Sequence, residues 1–254
     1  MNIAIITGAS SGMGKEFAFQ LDKGFANIDE FWLIARDQSK LERVQKKLLH
    51  KAMIFPCDIT LESSLDNIEK ELKEKHAQIC ILVNCAGYGI LGPFLEEEKN
   101  EELGMIRLNC EALTSVTYRF IPYMRKNSRI IQLASSAAFV PQPNFTVYAA
   151  SKSYVLSFSR ALNEELKPQK ITVTAVCPGP VDTPFFERAD KSQNTMALKR
   201  MLMADPKEVV KLALHDSYYK KAVSIYGTPM KLFQIMTKAV PHGIILKAVK
   251  LFSK

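Results

Sequence analysis

Tyr148 and Lys152 stand four residues apart in YAASK, within a segment of helical period, so their side chains share a face and can meet. A free tyrosine has a pKa of about 10 and is a poor proton carrier at neutral pH. An ammonium about 4 Å away, at an effective dielectric of about 20, is worth about 4 kcal/mol, enough to lower that pKa by roughly two to three units. The pair alone carries little weight. With eight tyrosines in the chain and roughly a tenth of its residues lysine, about one such spacing arises by chance. Thirteen residues upstream of the tyrosine an apolar run ends in LASS, placing Ser135 at the end of a strand candidate, where a hydroxyl can bond an oxygen as it gains charge. Ser136 is the second candidate at that edge.

A different chemistry is written near the N-terminus. TGASSGMG follows the first apolar run, with Gly8, Gly12 and Gly14 at its turns and a helical pattern beginning near Lys15. Glycines let the backbone approach a pyrophosphate, and the N–H groups of the next helix supply donors and a positive dipole end. Ser10 and Ser11 add hydroxyls. The spacing is not the GxGxxG of the standard dinucleotide fingerprint, but strand, glycines and helix follow in the order such a site requires. About 20 residues further on, an acidic residue at the end of the second strand would take the ribose hydroxyls of NAD. Here that end reads Ala35-Arg36. A guanidinium cannot accept from hydroxyls but pairs with a 2′-phosphate, which favours NADP(H) over NAD(H). Asp37 follows, an acidic residue just beyond the strand end.

These groups need a scaffold that brings strand ends together. Short β-branched runs at 2–7, 30–36, 52–56, 79–84, 129–134, 171–177 and 222–226 alternate with helical periods at about 12–25, 38–50, 61–76, 99–126 and 147–167. That alternation predicts an α/β fold with a parallel sheet and crossover helices, in one domain spanning 1–254. Residues 183–219 are too long for a tight connection and read as a substrate lid, with Asp205 and Pro206 as N-cap and first helical residue of its closing helix. The tail, 229–254, is basic and amphipathic, with Ile244, Ile245, Ala248, Val249 and Phe252 on one helical face and Lys247, Lys250 and Lys254 on the other.

TGASSGMG, Asn84-Cys85-Ala86-Gly87, Asn109 in RLNCEAL, Ser135, YAASK, and PGPVDT from Pro178 to Thr183 occur in the order of the classical short-chain dehydrogenase/reductase family, which the chain resembles from residue 3 to about 183. The resemblance implies a doubly wound Rossmann-type domain, its seven-stranded parallel sheet ordered 3-2-1-4-5-6-7 with helices on both faces. It implies a catalytic set of Asn109, Ser135, Tyr148 and Lys152, with Ser135 preferred to Ser136 because thirteen residues is the family's common spacing to the tyrosine. Asn109 is similar to the residue that anchors a water feeding protons to Lys152. Around the cofactor the resemblance places Gly8, Ser10, Ser11, Gly12, Met13, Gly14 and Arg36, with Asp58 near the adenine. Asn84, Ala86 and Gly87 come beside it, Tyr148 and Lys152 at its reacting end, and Pro178, Gly179, Val181 and Thr183 near the nicotinamide amide. One departure is Cys85, where the family usually has a second asparagine. Homodimers or homotetramers built through the helices near 99–126 and 147–167 are implied as well.

Composition narrows the remaining classes. Hydrophobic residues at 47% and charged residues at 24% describe a globular chain rather than a disordered one. MNIAIITGAS lacks the basic start of a secretory signal, and no run reaches the roughly 18 apolar residues of a membrane span, so a cytoplasmic protein is expected. Cys57, Cys80, Cys85, Cys110 and Cys177 have no CxxC spacing and read as small buried hydrophobes; no metal is indicated. The net charge of +8 gathers at the end of the chain, where no acidic residue follows Asp216. A solvated lysine face is the plain reading of that tail, peripheral membrane contact the second, and nucleic acid is not expected. Phe94, Phe139, Val140, Phe145, Phe185, Phe186 and Met196 fall near the variable loops, and with Ser135 and Tyr148 they point to an apolar ketone, aldehyde or alcohol such as a steroid or lipid-like ketone. The alternatives are a 3-oxoacyl carrier-protein reductase and, in another class, a non-catalytic NADP(H)-binding regulator.

Overall fold

The structure, a computed structural model, describes residues 1–25, 27–189 and 203–252. Strands β1 (Asn2–Thr7), β2 (Glu30–Ala35), β3 (Lys51–Pro56), β4 (Gln78–Asn84), β5 (Met124–Leu133), β6 (Thr172–Val176) and β7 (Val223–Ser224) form one parallel sheet in the order β3-β2-β1-β4-β5-β6-β7. This is the order expected from the sequence. Because alternate side chains leave a strand on opposite faces, Ala4 and Ile6 of β1 join Phe31 and Leu33 of β2 in one core layer. Ile3, Ile5, Trp32 and Ile34 join the other. Strands buried on both faces must be apolar throughout, which is why they read as unbroken runs.

The helices are α1 (Gly12–Gly24), α2 (Gln38–Gln45), α3 (Glu62–Glu74), α4 (Lys99–Ile106), α5 (Leu113–Phe120), α6 (Thr146–Glu165), α7 (Phe185–Ala189), α8 (Pro206–Tyr218), α9 (Thr228–Ala239) and α10 (His242–Phe252). The single helix expected over 99–126 is broken twice. A π turn, Arg107–Ala112, separates α4 from α5, and Pro122 ends the run in a 3₁₀ turn, Ile121–Tyr123, so that Met124 already belongs to β5. Proline has no N–H for the helical ladder, and its ring crowds the preceding turn. Asp205 does cap α8, accepting from the Lys207 N–H at 2.8 Å.

Of the stretch expected as a lid, residues 190–202, including Met196, lie outside the described residues. Its described ends meet: Val181 and Ala204 form a parallel bridge, closed by Asp182 N–H to Ala204 O at 3.0 Å and Ala204 N–H to Pro180 O at 2.9 Å. On α10, Ile245 is buried while Ile244 is exposed, so the apolar face expected of the tail is only partly seated on the domain. Of the five cysteines, Cys80 and Cys177 are buried as expected. Cys57, Cys85 and Cys110 are half-buried, and none is in a disulfide.

Candidate active site

At the C-terminal edge of the sheet the loops after β1, β2, β3, β4, β5 and β6 border one cleft of about 1270 Å³. That exceeds the ~300–1,000 Å³ of a pocket for one drug-sized molecule, leaving room for two ligands end to end. At one end Gly8 (φ +69°) and Gly12 (φ +50°) take backbone conformations that L side chains avoid. A Cβ on Gly8 would lie 2.8 Å from the Ala86 nitrogen, and one on Gly14 only 2.2 Å from the Gly8 carbonyl oxygen. Ser11, the N-cap of α1, makes no side-chain capping bond, so the helix start faces the cleft with its donors unspent. Thr7, buried at the end of β1, accepts from the Cys85 and Ala86 N–H groups at 3.1 and 3.2 Å and pins the β4 loop beside this cradle.

Gly14→Ala therefore pushes one backbone against another. It is expected to cost about 1–3 kcal/mol in urea unfolding. Gly24→Ala, with nothing within 4 Å of its added methyl, is the control. Equal behaviour of the two variants would refute the packing argument.

Arg36 and Asp37 both border the cleft, and their roles separate clearly. Asp37 caps α2: its Oδ1 accepts from the Lys40 N–H and the Ser39 hydroxyl, both at 2.9 Å, and its Oδ2 lies 3.3 Å from Lys40 Nζ. These bonds, led by the Lys40 N–H, hold the carboxyl below its usual range. Arg36 is exposed and forms no ion pair among the described residues. Asp58 also borders the cleft, its Oδ1 held by the Thr60 N–H at 3.0 Å and the Thr60 hydroxyl at 2.8 Å.

At the other end, Tyr148 and Lys152 project from α6 and are 7% and 3% exposed. Lys152 Nζ donates to the Leu133 carbonyl at 2.7 Å and lies 5.7 Å from the centroid of the Tyr148 ring. Burial dominates both groups. It pushes the Tyr148 phenol up to about 12, against the opposing hydrogen-bonding influence of the Ser135 hydroxyl, and pushes the Lys152 ammonium down to about 8. Burial thus outweighs the lowering expected from Lys152, whose ammonium is held toward a carbonyl. Ser135 begins the 3₁₀ turn Ser136–Phe139, accepting from the Ala137 N–H at 3.1 Å. Ser136 also borders the cleft and gives its N–H to the Pro178 carbonyl at 2.8 Å.

The family model described as short chain dehydrogenase matches residues 2–194. The chain belongs to the short-chain dehydrogenase family. Among its relatives is the 3-dehydrosphinganine reductase of Danio rerio, 28% identical over 246 residues, covering 92% of this chain and 73% of that one. A short-chain dehydrogenase from Sphingobium yanoikuyae, solved in complex with NADPH, superposes with a TM-score of 0.79 at 27% identity, covering 96% of this chain and 95% of that one. A 3-ketoacyl-(acyl-carrier-protein) reductase from Brucella melitensis, solved with NADH, gives a TM-score of 0.76 at 28% identity, covering 88% and 95%. This short-chain dehydrogenase is an oxidoreductase by family.

Three expected site residues of this short-chain dehydrogenase turn away from the cleft. Asn84 points its amide to Thr117 Oγ1 at 3.0 Å, where the Gln132 amide also donates, because it leaves β4 on the face opposite the cradle. Phe139 packs in the core 6.3 Å from Phe233 instead of facing a substrate. Asn109, wholly buried in the π turn, accepts from the Tyr88 N–H at 3.1 Å and donates to the Tyr88 carbonyl at 2.9 Å and Ser151 Oγ at 3.1 Å. It shapes the loop after β4 and meets the cleft through Tyr88 and through Gly87, whose added Cβ would sit 2.8 Å from Asn109 Oδ1 and 3.4 Å from Lys152 Nζ. Phe94 is exposed and Val140 buried, both outside the lining.

Gly8, Ser10, Ser11, Gly12, Met13, Gly14, Ala86, Gly87, Pro178, Gly179, Val181, Thr183, Phe145, Phe185 and Phe186 do border the cleft. Phe145 stacks on Tyr148 at 4.2 Å and Phe185 lies 5.4 Å from it, so the phenol stands between two aromatic rings.

Sequence reasoning missed Tyr88, Arg188, Met230 and Phe233, which also line the cleft. Arg188 sits over the Tyr88 ring at 3.7 Å and pairs with Glu101 at 3.1 Å, tying α7 to the loop after β4. Tyr88 directly follows Asn84-Cys85-Ala86-Gly87 and was within reach of a motif reading. Met230 and Phe233 come from α9, remote in sequence, and carry no local signal.

Proposed function

We propose that this short-chain dehydrogenase uses NADP(H) to interconvert an apolar ketone or aldehyde with its alcohol. The observation that carries the reading is one continuous cleft with Arg36 at one end and Ser135, Tyr148 and Lys152 at the other. The glycine cradle and the start of α1 fit a pyrophosphate, and Arg36, next to an aspartate occupied in capping, fits a 2′-phosphate better than a ribose diol. Ala86, Gly87, Pro178, Gly179, Val181 and Thr183 would border the nicotinamide, which when bound supplies or accepts the hydride.

A phenol held near 12 stays protonated at neutral pH and can give its proton to a carbonyl oxygen gaining charge. Ser135 donates a hydrogen bond to that same oxygen. The phenolate left behind forms near the Lys152 ammonium, whose attraction grows only as that charge appears. Asn109 acts as a positioning residue through Tyr88 and Gly87. Aromatic walls from Phe145, Phe185, Phe186 and Phe233 favour an apolar substrate, and the Danio rerio relative is named a 3-dehydrosphinganine reductase.

The test is loss of NADPH absorbance against a panel of steroids, quinones, aldehydes and oxoacyl thioesters. Turnover of apolar ketones supports the reading, and turnover of oxoacyl thioesters alone would replace it with a carrier-linked reductase. Arg36→Ala is expected to raise KM for NADPH by about ten- to a hundredfold through loss of a charge-assisted bond, leaving KM for NADH nearly unchanged. A wild type that prefers NADH would overturn the cofactor assignment.

A further inference from the structure

Helix α9 is apolar on two sides. Met230 and Phe233 form part of the cleft wall, and Thr237 is buried against the domain. On the opposite side Leu232, Ile235, Met236 and Ala239 recur at i, i+3, i+4 and i+7. The first three are 61%, 62% and 44% exposed, and Ile244 at the start of α10 is 59% exposed. An outward helix face is ordinarily polar, and a contiguous apolar strip there marks a contact surface.

The surrounding charge has one sign. Lys231 and Lys238 flank the strip on α9, Lys247 is exposed on α10, and none of the three forms an ion pair among the described residues. No Asp or Glu follows Asp216 in the chain. A second copy docked about a two-fold axis would bring these lysines toward their own copies, with no carboxylate from this segment to answer them. An anionic lipid surface satisfies both features, taking the apolar strip at its acyl boundary and the lysines among its headgroups. No helix among the described residues is long and apolar enough to cross a membrane, so the contact is that of a helix lying in the interface.

We infer that the outer face of α9 docks on an anionic bilayer, setting the Met230 and Phe233 wall of the cleft one helix away from the lipid that would dissolve an apolar substrate. The docking stands on α9 alone; delivery of a lipid-soluble carbonyl rests on the function proposed above.

The full chain would be sedimented with phosphatidylcholine vesicles and with vesicles of equimolar phosphatidylcholine and phosphatidylglycerol. Wild type is expected to pellet with the anionic vesicles and to be released by salt. Leu232→Gln/Ile235→Gln should weaken partitioning on the order of a hundredfold, and Lys231→Glu/Lys238→Glu roughly tenfold or more. Circular dichroism and thermal melting check that each variant is folded. Wild type remaining in the supernatant, or both variants partitioning like wild type, overturns the proposal. So does an oligomer that dissociates in Leu232→Gln/Ile235→Gln without any vesicle binding, which would assign the face to a second copy. Vesicle binding that persists in a chain inactive on every ketone would remove the function reading and leave the docking surface standing.

Discussion

Tyr148→Phe is expected to lower kcat for ketone reduction by roughly a thousandfold, within the range of about 10² to 10⁴ for loss of a general acid, while NADPH binds as before. The substitution removes one oxygen and keeps the ring. Phenylalanine can hold the 4.2 Å stack on Phe145 and the contact with Phe185 at 5.4 Å, so the cleft keeps its shape. What disappears is the proton given to the carbonyl oxygen, a contribution made in the transition state and not in cofactor binding. The loss should fall on kcat, with the dissociation constant for NADPH, read by fluorescence titration, within about twofold of wild type. A variant retaining a tenth or more of wild-type kcat would mean that Tyr148 is not the proton donor.

Lys152→Met should abolish useful turnover and at the same time stabilise the fold. An ammonium 3% exposed and pushed down to about 8 is a charge that the folded chain tolerates poorly. Its folded value lies below the unfolded value of 10.5, so between pH 8 and pH 10.5 the unfolded chain holds a proton that the folded chain has released. Stability attributable to this group therefore rises with pH across that window, and below it the folded state carries a penalty of about 3 kcal/mol. Methionine has similar length and no charge. It forfeits the charge-assisted bond to the Leu133 carbonyl, worth about 1.5–3 kcal/mol, leaving a net gain of no more than about 1–2 kcal/mol at pH 7. Urea unfolding of both proteins at pH 7 and pH 10 would show the gap and its shrinkage at the higher pH. A variant less stable than wild type at pH 7 would show that Lys152 is held by more than its function requires. Residues kept for chemistry at a cost in stability are expected at reaction centres.

The two ends of the cleft were legible to different degrees. Gly8, Gly12 and Gly14 announce a phosphate cradle because only glycine tolerates the backbone angles and the 2.2 Å approach found there. Arg36 was equally readable, but Asp37 beside it was ambiguous until its carboxylate was seen capping α2. In the interior, β1 and β2 were plain because both of their faces are buried. The π turn at Arg107–Ala112 left no mark, since one extra residue per turn hardly disturbs a helical pattern. Pro122 was a visible stop within the 99–126 expectation, and the helical period on either side of it concealed the break.

The chain by itself determined the α/β alternation, the glycine turn after β1 and the four-residue spacing of Tyr148 and Lys152, because each depends on neighbours in sequence: an alternating strand, a glycine's freedom, a helical period; the strand order followed only from the resemblance of its motifs to a family. Tertiary structure decided which way Asn84 and Phe139 face, that the phenol of Tyr148 is raised rather than lowered, and that α9 shows lysine-flanked apolar side chains to solvent. Those outcomes depend on burial and on contacts between segments far apart in the chain, where local pattern says nothing about which side meets water.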